Sequence, residues 1–233
     1  MVKHLKKIAM GVASIGLAVI LMLAFFRPGF YWKTENWGHR LGGDVVEEFP
    51  ENTIESFEFA IQNFEHDPRY LYSECDIRET KDHQLIIFHD WDLGQAFPDD
   101  EHNRNALETD SISEIPINQL TLNQIQSLNL HGGYKVPTLE EVLVAATRLN
   151  LEKPLILEIK LLHSEQAREK LLRLAIHYRK KLNCELNFSS FIRNVNRSFE
   201  DPKLWLEKFS RNDFKIYQVY RPKTDEYDLC HDW

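Results

Sequence analysis

The sequence predicts an α/β domain, a parallel sheet assembled from βα units as in a (β/α) barrel, preceded by one N-terminal membrane helix. Three observations lead there. Short apolar runs rich in β-branched residues alternate with segments whose apolar residues recur at helical spacing. Polar residues collect at the ends of the strand-like runs: His39-Arg40, Glu74 with Asp76, His89, and Glu158 with Lys160. In (β/α) barrels those ends carry the chemistry. Finally, 233 residues that are 43% hydrophobic and 27% charged suit one globular domain.

At the N-terminus, Lys3, Lys6 and Lys7 precede the uncharged, mostly apolar stretch 8–26. As a helix it spans roughly 28 Å, the thickness of a bilayer core. A cleaved secretory signal starts in the same way, but no small-residue cleavage site closes this stretch. The basic flank keeps the short N-terminus cytoplasmic. Residues 1–31 are therefore expected to anchor a single-pass protein in the cell membrane, with the domain 32–233 on the non-cytoplasmic side. Trp32 and Trp37 suit an interfacial aromatic belt or simple core packing.

A strand-like stretch at Gly38-His39-Arg40 comes next, followed by a loop of glycines and acids. Asn52-Thr53 opens a helix with Ile54, Phe57, Ala60, Ile61 and Phe64 on one face. Strands 70–77 and 85–89 follow, joined by a turn at Lys81-Asp82, and the polar segment 92–113 reads as an insertion beside the site. Helices 122–128 and from Thr138, strand 155–160, helix 164–181, strand 186–191, helix 202–209 and strand 214–220 complete the pattern.

That makes six strands. An eight-stranded barrel usually takes about 250 residues, and 207 follow Phe26, the last of them turn-like in composition. The barrel is expected to be incomplete at its C-terminal end. Its opening would be closed by the tail, by a second copy in a homodimer, or by the membrane surface.

Of 28 Lys and Arg, four lie in the first 27 residues, leaving 24 against 36 Asp and Glu in the remainder. So acidic a body excludes a nucleic-acid binder, which must neutralise phosphates. Cys75, Cys184 and Cys230 are too few and too scattered for a disulfide framework or a zinc site.

The chemistry concentrates in Glu74-Cys75-Asp76, with His89-Asp90 thirteen residues on. Side chains at i and i+2 of a strand point the same way, so the two carboxylates converge while Cys75 faces the opposite side. Converging carboxylates repel unless a cation sits between them. Oxygen ligands select Mg²⁺ or Ca²⁺. Glu158 and Lys160 also share a strand face, and the bland alternative is that they merely pair with each other.

These residues resemble the glycerophosphodiester phosphodiesterase family over residues 38–160. The resemblance rests on His39-Arg40, Pro50-Glu51-Asn52-Thr53, Glu74-x-Asp76, Thr80-x-Asp82, His89-Asp90, the run from Val136-Pro137-Thr138 to Leu143, and Glu158-Ile159-Lys160. It implies a TIM-type barrel in which Glu74, Asp76 and Glu158 hold a divalent metal, Mg or Ca, and His39 and His89 form the acid-base pair. Arg40 and Lys160 would bind phosphate, and Glu51 would sit beside the metal or support it. Leu41 stands where the family usually has Gly, and the acidic stretch 44–49 lengthens the connection to Pro50.

The implied activity is hydrolysis of glycerophosphodiesters to glycerol 3-phosphate and an alcohol. The alternatives are a lysophospholipase D-like or phospholipase C-like enzyme acting on membrane lipids, and a catalytically weak, membrane-tethered barrel that binds phosphodiesters.

Overall fold

A computed structural model describes residues 36–220 and 228–232, with residues 192, 218–220 and 228–232 described by their backbone alone. The expected membrane segment and Trp32 lie outside these residues; among the described residues, no helix is long and apolar enough to cross a membrane. Trp37 packs edge-on against Phe64, with the Arg69 guanidinium over its ring. Its place is core packing.

Six strands form one mixed sheet: β1 (Ser73–Glu79), β2 (Leu85–Ile87), β3 (Leu155–Leu161), β4 (Leu186–Ser190), β5 (Ile216–Tyr220) and β6 (Asp228–Asp232), in the order β2-β1-β3-β4-β5-β6. β1, β3, β4 and β5 run parallel, whereas β2 is antiparallel to β1 and β6 antiparallel to β5. Among the described residues, β2 and β6 end the sheet and are not paired with each other. The sheet's membership differs from the expected six. The C-terminal stretch expected to be turn-like supplies β6, which covers the edge of β5.

The stretch at Gly38-His39-Arg40 is a 3-10 turn, His39–Gly42, and not a strand. Arg40 and Leu41 take left-handed angles, φ 49° and 58°, ahead of Gly42 at 89°. Such angles cost a non-glycine residue about 1–2 kcal/mol, and no hydrophobic pattern reveals them. The turn nevertheless lies against β1, because Glu74 N–H donates to Gly38 O at 2.8 Å. A Cβ at Gly38 would fall 2.0 Å from Tyr72 O, so only glycine permits this approach.

The helices are α1 (Ile54–Phe64), α2 (Glu101–Leu107), α3 (Leu122–Ser127), α4 (Leu139–Arg148), α5 (Glu165–Arg179), α6 (Ile192–Ser198) and α7 (Pro202–Arg211). Thr53, Thr138 and Ser164 cap α1, α4 and α5 by accepting backbone N–H bonds, and Glu141 completes a capping box on α4. α2, inside the segment expected to be a loop, and α6 were not anticipated. Cys75, Ile77, Leu157, Ile159 and Phe188 form one apolar face of the sheet, buried with Phe57, Leu143 and Leu171 of α1, α4 and α5.

A second core, containing Leu93, Phe97, Ile112, Ile117, Ile125 and Leu128, lies within the insertion between β2 and α4. β2 faces both. Leu85 and Ile87 belong to the first core and Ile86 to the second, as strand alternation dictates.

Candidate active site

The polar face of the sheet carries the acids. Asp76 and Glu158 are directly opposite each other on β1 and β3, and Glu74 is two residues earlier on β1. One carboxylate oxygen from each lies within 4.8 Å of the others. They sit within the strands, not at their ends, because β1 continues past a register shift at Ile77/Arg78 to pair with β2. Cys75 is buried on the opposite, apolar face, as the alternation predicts.

The three acids are unlike in their surroundings. Lys160 Nζ lies 2.8 Å from Asp76 Oδ1 and 2.6 Å from Glu158 Oε1, so it pairs with Glu158 and with Asp76 as well. Asn52, left-handed at φ 58°, donates Nδ2–H to Asp76 Oδ2 at 2.8 Å. Against the effect of burial, Lys160 and Asn52 hold Asp76 down at about 2. Burial raises Glu158, helped by the Asp76 charge and only partly countered by Lys160.

Glu74 is the outlier. Burial, with the charges of Asp76 and Glu158, pushes it up to about 8. Its Oε2 accepts the Arg40 backbone N–H at 3.0 Å, yet Oε1 is buried with no hydrogen-bond partner. A buried carboxylate oxygen left without a donor beside two more carboxylates fits a hard divalent cation held by Glu74, Asp76 and Glu158.

Two histidines flank this cluster. His39 Nδ1 is 2.5 Å from Asp44 Oδ2, and its Nε2 is 3.7 Å from Glu74 Oε2. Burial opposes its charge, but the Asp44 hydrogen bond and the nearby acids outweigh this and raise its pKa. His89 follows β2, and its Nδ1 meets Asp90 Oδ1 at 2.8 Å. Its Nε2 lies 2.8 Å from an Arg40 guanidinium nitrogen. Guanidinium only donates, so Nε2 accepts and Nδ1–H donates to Asp90.

Glu51 does not join the acids. It accepts from Arg40 Nη1 at 2.8 Å, and Asn52 is the residue of that stretch that reaches Asp76. Sequence reasoning also missed Asp44 and Arg78. Arg78 donates through Nε and Nη2 to the His89 carbonyl at 3.0 and 2.6 Å, fixing the backbone of that histidine. Its only sequence signal was its place two residues after Asp76, on the same side of an ideal strand.

A cavity of about 440 Å³ adjoins the site where Arg40 and His89 stand, lined by these two with Glu51, Asn52, Phe88, Leu130 and Val136, while the three acids, Lys160 and His39 are not among its lining residues. His131 also lines the cavity. A larger cavity of about 710 Å³, near Glu185, Asn187 and Lys215 where β4 and β5 begin, contains none of the site residues.

The sequence profile described as Glycerophosphoryl diester phosphodiesterase family matches residues 45–229. The chain belongs to this family. A comparison with curated proteins gives no match. Among solved structures, this family member is similar to a glycerophosphodiester phosphodiesterase-type protein of Galdieria sulphuraria, with 23% identity and a TM-score of 0.57, covering 79% of this chain and 63% of that one.

It is also similar to a glycerophosphodiester phosphodiesterase of Agrobacterium tumefaciens, with 19% identity and a TM-score of 0.52, covering 76% of this chain and 63% of the other. At these identities the likeness establishes the fold, the TIM-type barrel of the family. The chain spans less than two thirds of the length of either structure.

Proposed function

We propose that the protein hydrolyses glycerophosphodiesters to glycerol 3-phosphate and an alcohol, using a divalent cation held by Glu74, Asp76 and Glu158. The observation that carries this is the orphaned Glu74 Oε1 within a buried triad of acids flanked by two oppositely prepared histidines. Mg²⁺ or Ca²⁺, when bound, would supply charge stabilisation to the non-bridging phosphate oxygens.

The protein's own groups supply the rest. His89, its Nδ1–H directed to Asp90, offers a proton-free Nε2 as the base for the attacking hydroxyl. His39, whose charged form Asp44 and Glu74 favour, gives a proton to the departing alkoxide. Arg40 presents a fork to phosphate once Glu51 yields, and Lys160 a point charge.

Turnover of glycerophosphocholine with and without chelator tests this reading. Activity that chelator abolishes and Mg²⁺ or Ca²⁺ restores is expected. Full activity in excess chelator rejects the metal role, and saturable binding without turnover favours the phosphodiester-binding barrel, a reading the open sheet supports. The apolar cavity wall favours a lysophospholipid or other membrane lipid as the alternative substrate, and residues 8–26 would hold the domain at the bilayer, outside the cytoplasm.

A further inference from the structure

The row of opposed residues across the polar face continues past the acids. In register, Asp76 is opposite Glu158, and Glu158 is opposite Ser189 on β4. Neighbouring strands lie about 4.8 Å apart, which puts the Ser189 side chain next to that of Glu158. Ser189 is 1% exposed, and its hydroxyl has no hydrogen-bond partner among the described residues.

Buried hydroxyls are rarely left unpaired, since the lost hydration costs about 1–3 kcal/mol. The next residue makes the contrast plain. Ser190 Oγ, on the opposite side of the strand, donates to Ile159 O at 2.7 Å, an ordinary structural bond.

Glu158 currently takes its charged donor from Lys160. A divalent cation among the acids repels that ammonium and weakens its hold on Glu158, which then needs another donor to fix its carboxylate. A serine hydroxyl rotates freely and donates one proton. We propose that Ser189 is a positioning residue of the cation site, its hydroxyl donating to the Glu158 carboxylate when the ion is bound. This rests on the metal reading above, but concerns a residue outside the acid triad.

The test is calorimetric titration of the full chain, stripped with chelator, with Mg²⁺ or Ca²⁺ alone, together with thermal melts of the metal-free forms. Outer partners of metal ligands typically contribute about 10–100-fold in affinity. Ser189→Ala and Ser189→Cys should weaken cation binding by that factor, with metal-free melting temperatures no lower than wild type. Ser190→Ala should do the reverse, lowering the melting temperature with cation affinity nearly unchanged.

Cation binding by Ser189→Ala within about twofold of wild type overturns the proposal. So does a metal-free Ser189→Ala that melts lower or fails to fold, which assigns the hydroxyl to the fold. Wild type that binds neither ion rejects the metal reading itself and this role with it, whereas wild-type binding unaltered by the substitution rejects Ser189 alone.

Discussion

Lys160→Met, measured in chelator, probes how the acids are held together. The lysine nitrogen lies 2.8 Å from Asp76 and 2.6 Å from Glu158. At an effective dielectric of about 20, each contact is worth about 6 kcal/mol before desolvation. Taking the ions out of water offsets much of that, and removing one member of such a buried group typically costs about 3–5 kcal/mol.

With a urea m-value of about 2–3 kcal/mol/M, the unfolding midpoint should fall by about 1–2 M. The carboxylates left behind take up protons, so the deficit should be larger at pH 8 than at pH 5. Mg²⁺ or Ca²⁺ at about 100 times its Kd should return about 2.7 kcal/mol. A variant midpoint within about 0.3 M of wild type at pH 8 in chelator would refute the reasoning, because no net attraction would then join these groups.

His39→Ala and His89→Ala should each lower kcat by about 10²–10⁴-fold, while His83→Ala leaves it nearly unchanged; equal losses at His83 would move the site elsewhere. Glu74 is held up at about 8, so the native state carries a proton that the unfolded chain releases near pH 4.3. Metal-free stability therefore falls as pH rises through that window. Glu74→Gln in chelator should melt above wild type at pH 8 and level with it near pH 4, and a lower melt at pH 8 counts against the burial argument.

Glu79 is the opposite case. Burial opposes its ionisation, but donors from Ser164, His83 and His163 win and lower its pKa. Its stabilising contribution is present above the unfolded pKa of about 4.3 and is lost as pH falls through the lower folded value. Glu79→Gln should cost about 1–3 kcal/mol at pH 7 by urea unfolding, and a gap that failed to narrow below pH 4 would contradict this.

What the sequence disclosed was whatever depends on local rules. Thr53, Thr138 and Ser164 announce helices through capping chemistry, and Glu74-Cys75-Asp76 announces a two-faced strand through alternation; all four stand in the structure. The turn at His39 was missed because the left-handed angles of Arg40 and Leu41 are imposed by packing against β1. α2 escaped notice because it is seven residues long and its buried residue is polar, Asn103. Whether Glu51 sits beside the metal or supports it from further out was open in the sequence, because charge alone does not say which neighbour it meets; folding gives it Arg40, while Asn52 reaches Asp76.

The insertion between β2 and α4 encloses an apolar core of its own, joined to the sheet through Ile86 and Phe88. Its Leu130, His131 and Val136 form one wall of the cavity, while the acids and His39 stand on separate supports in the sheet and the turn before it. Substitutions inside that small core can reshape the wall without disturbing the packing behind the acids. Under the proposed reading, choice of leaving group and power to cleave are therefore separable traits, open to independent drift or to exchange of the whole segment.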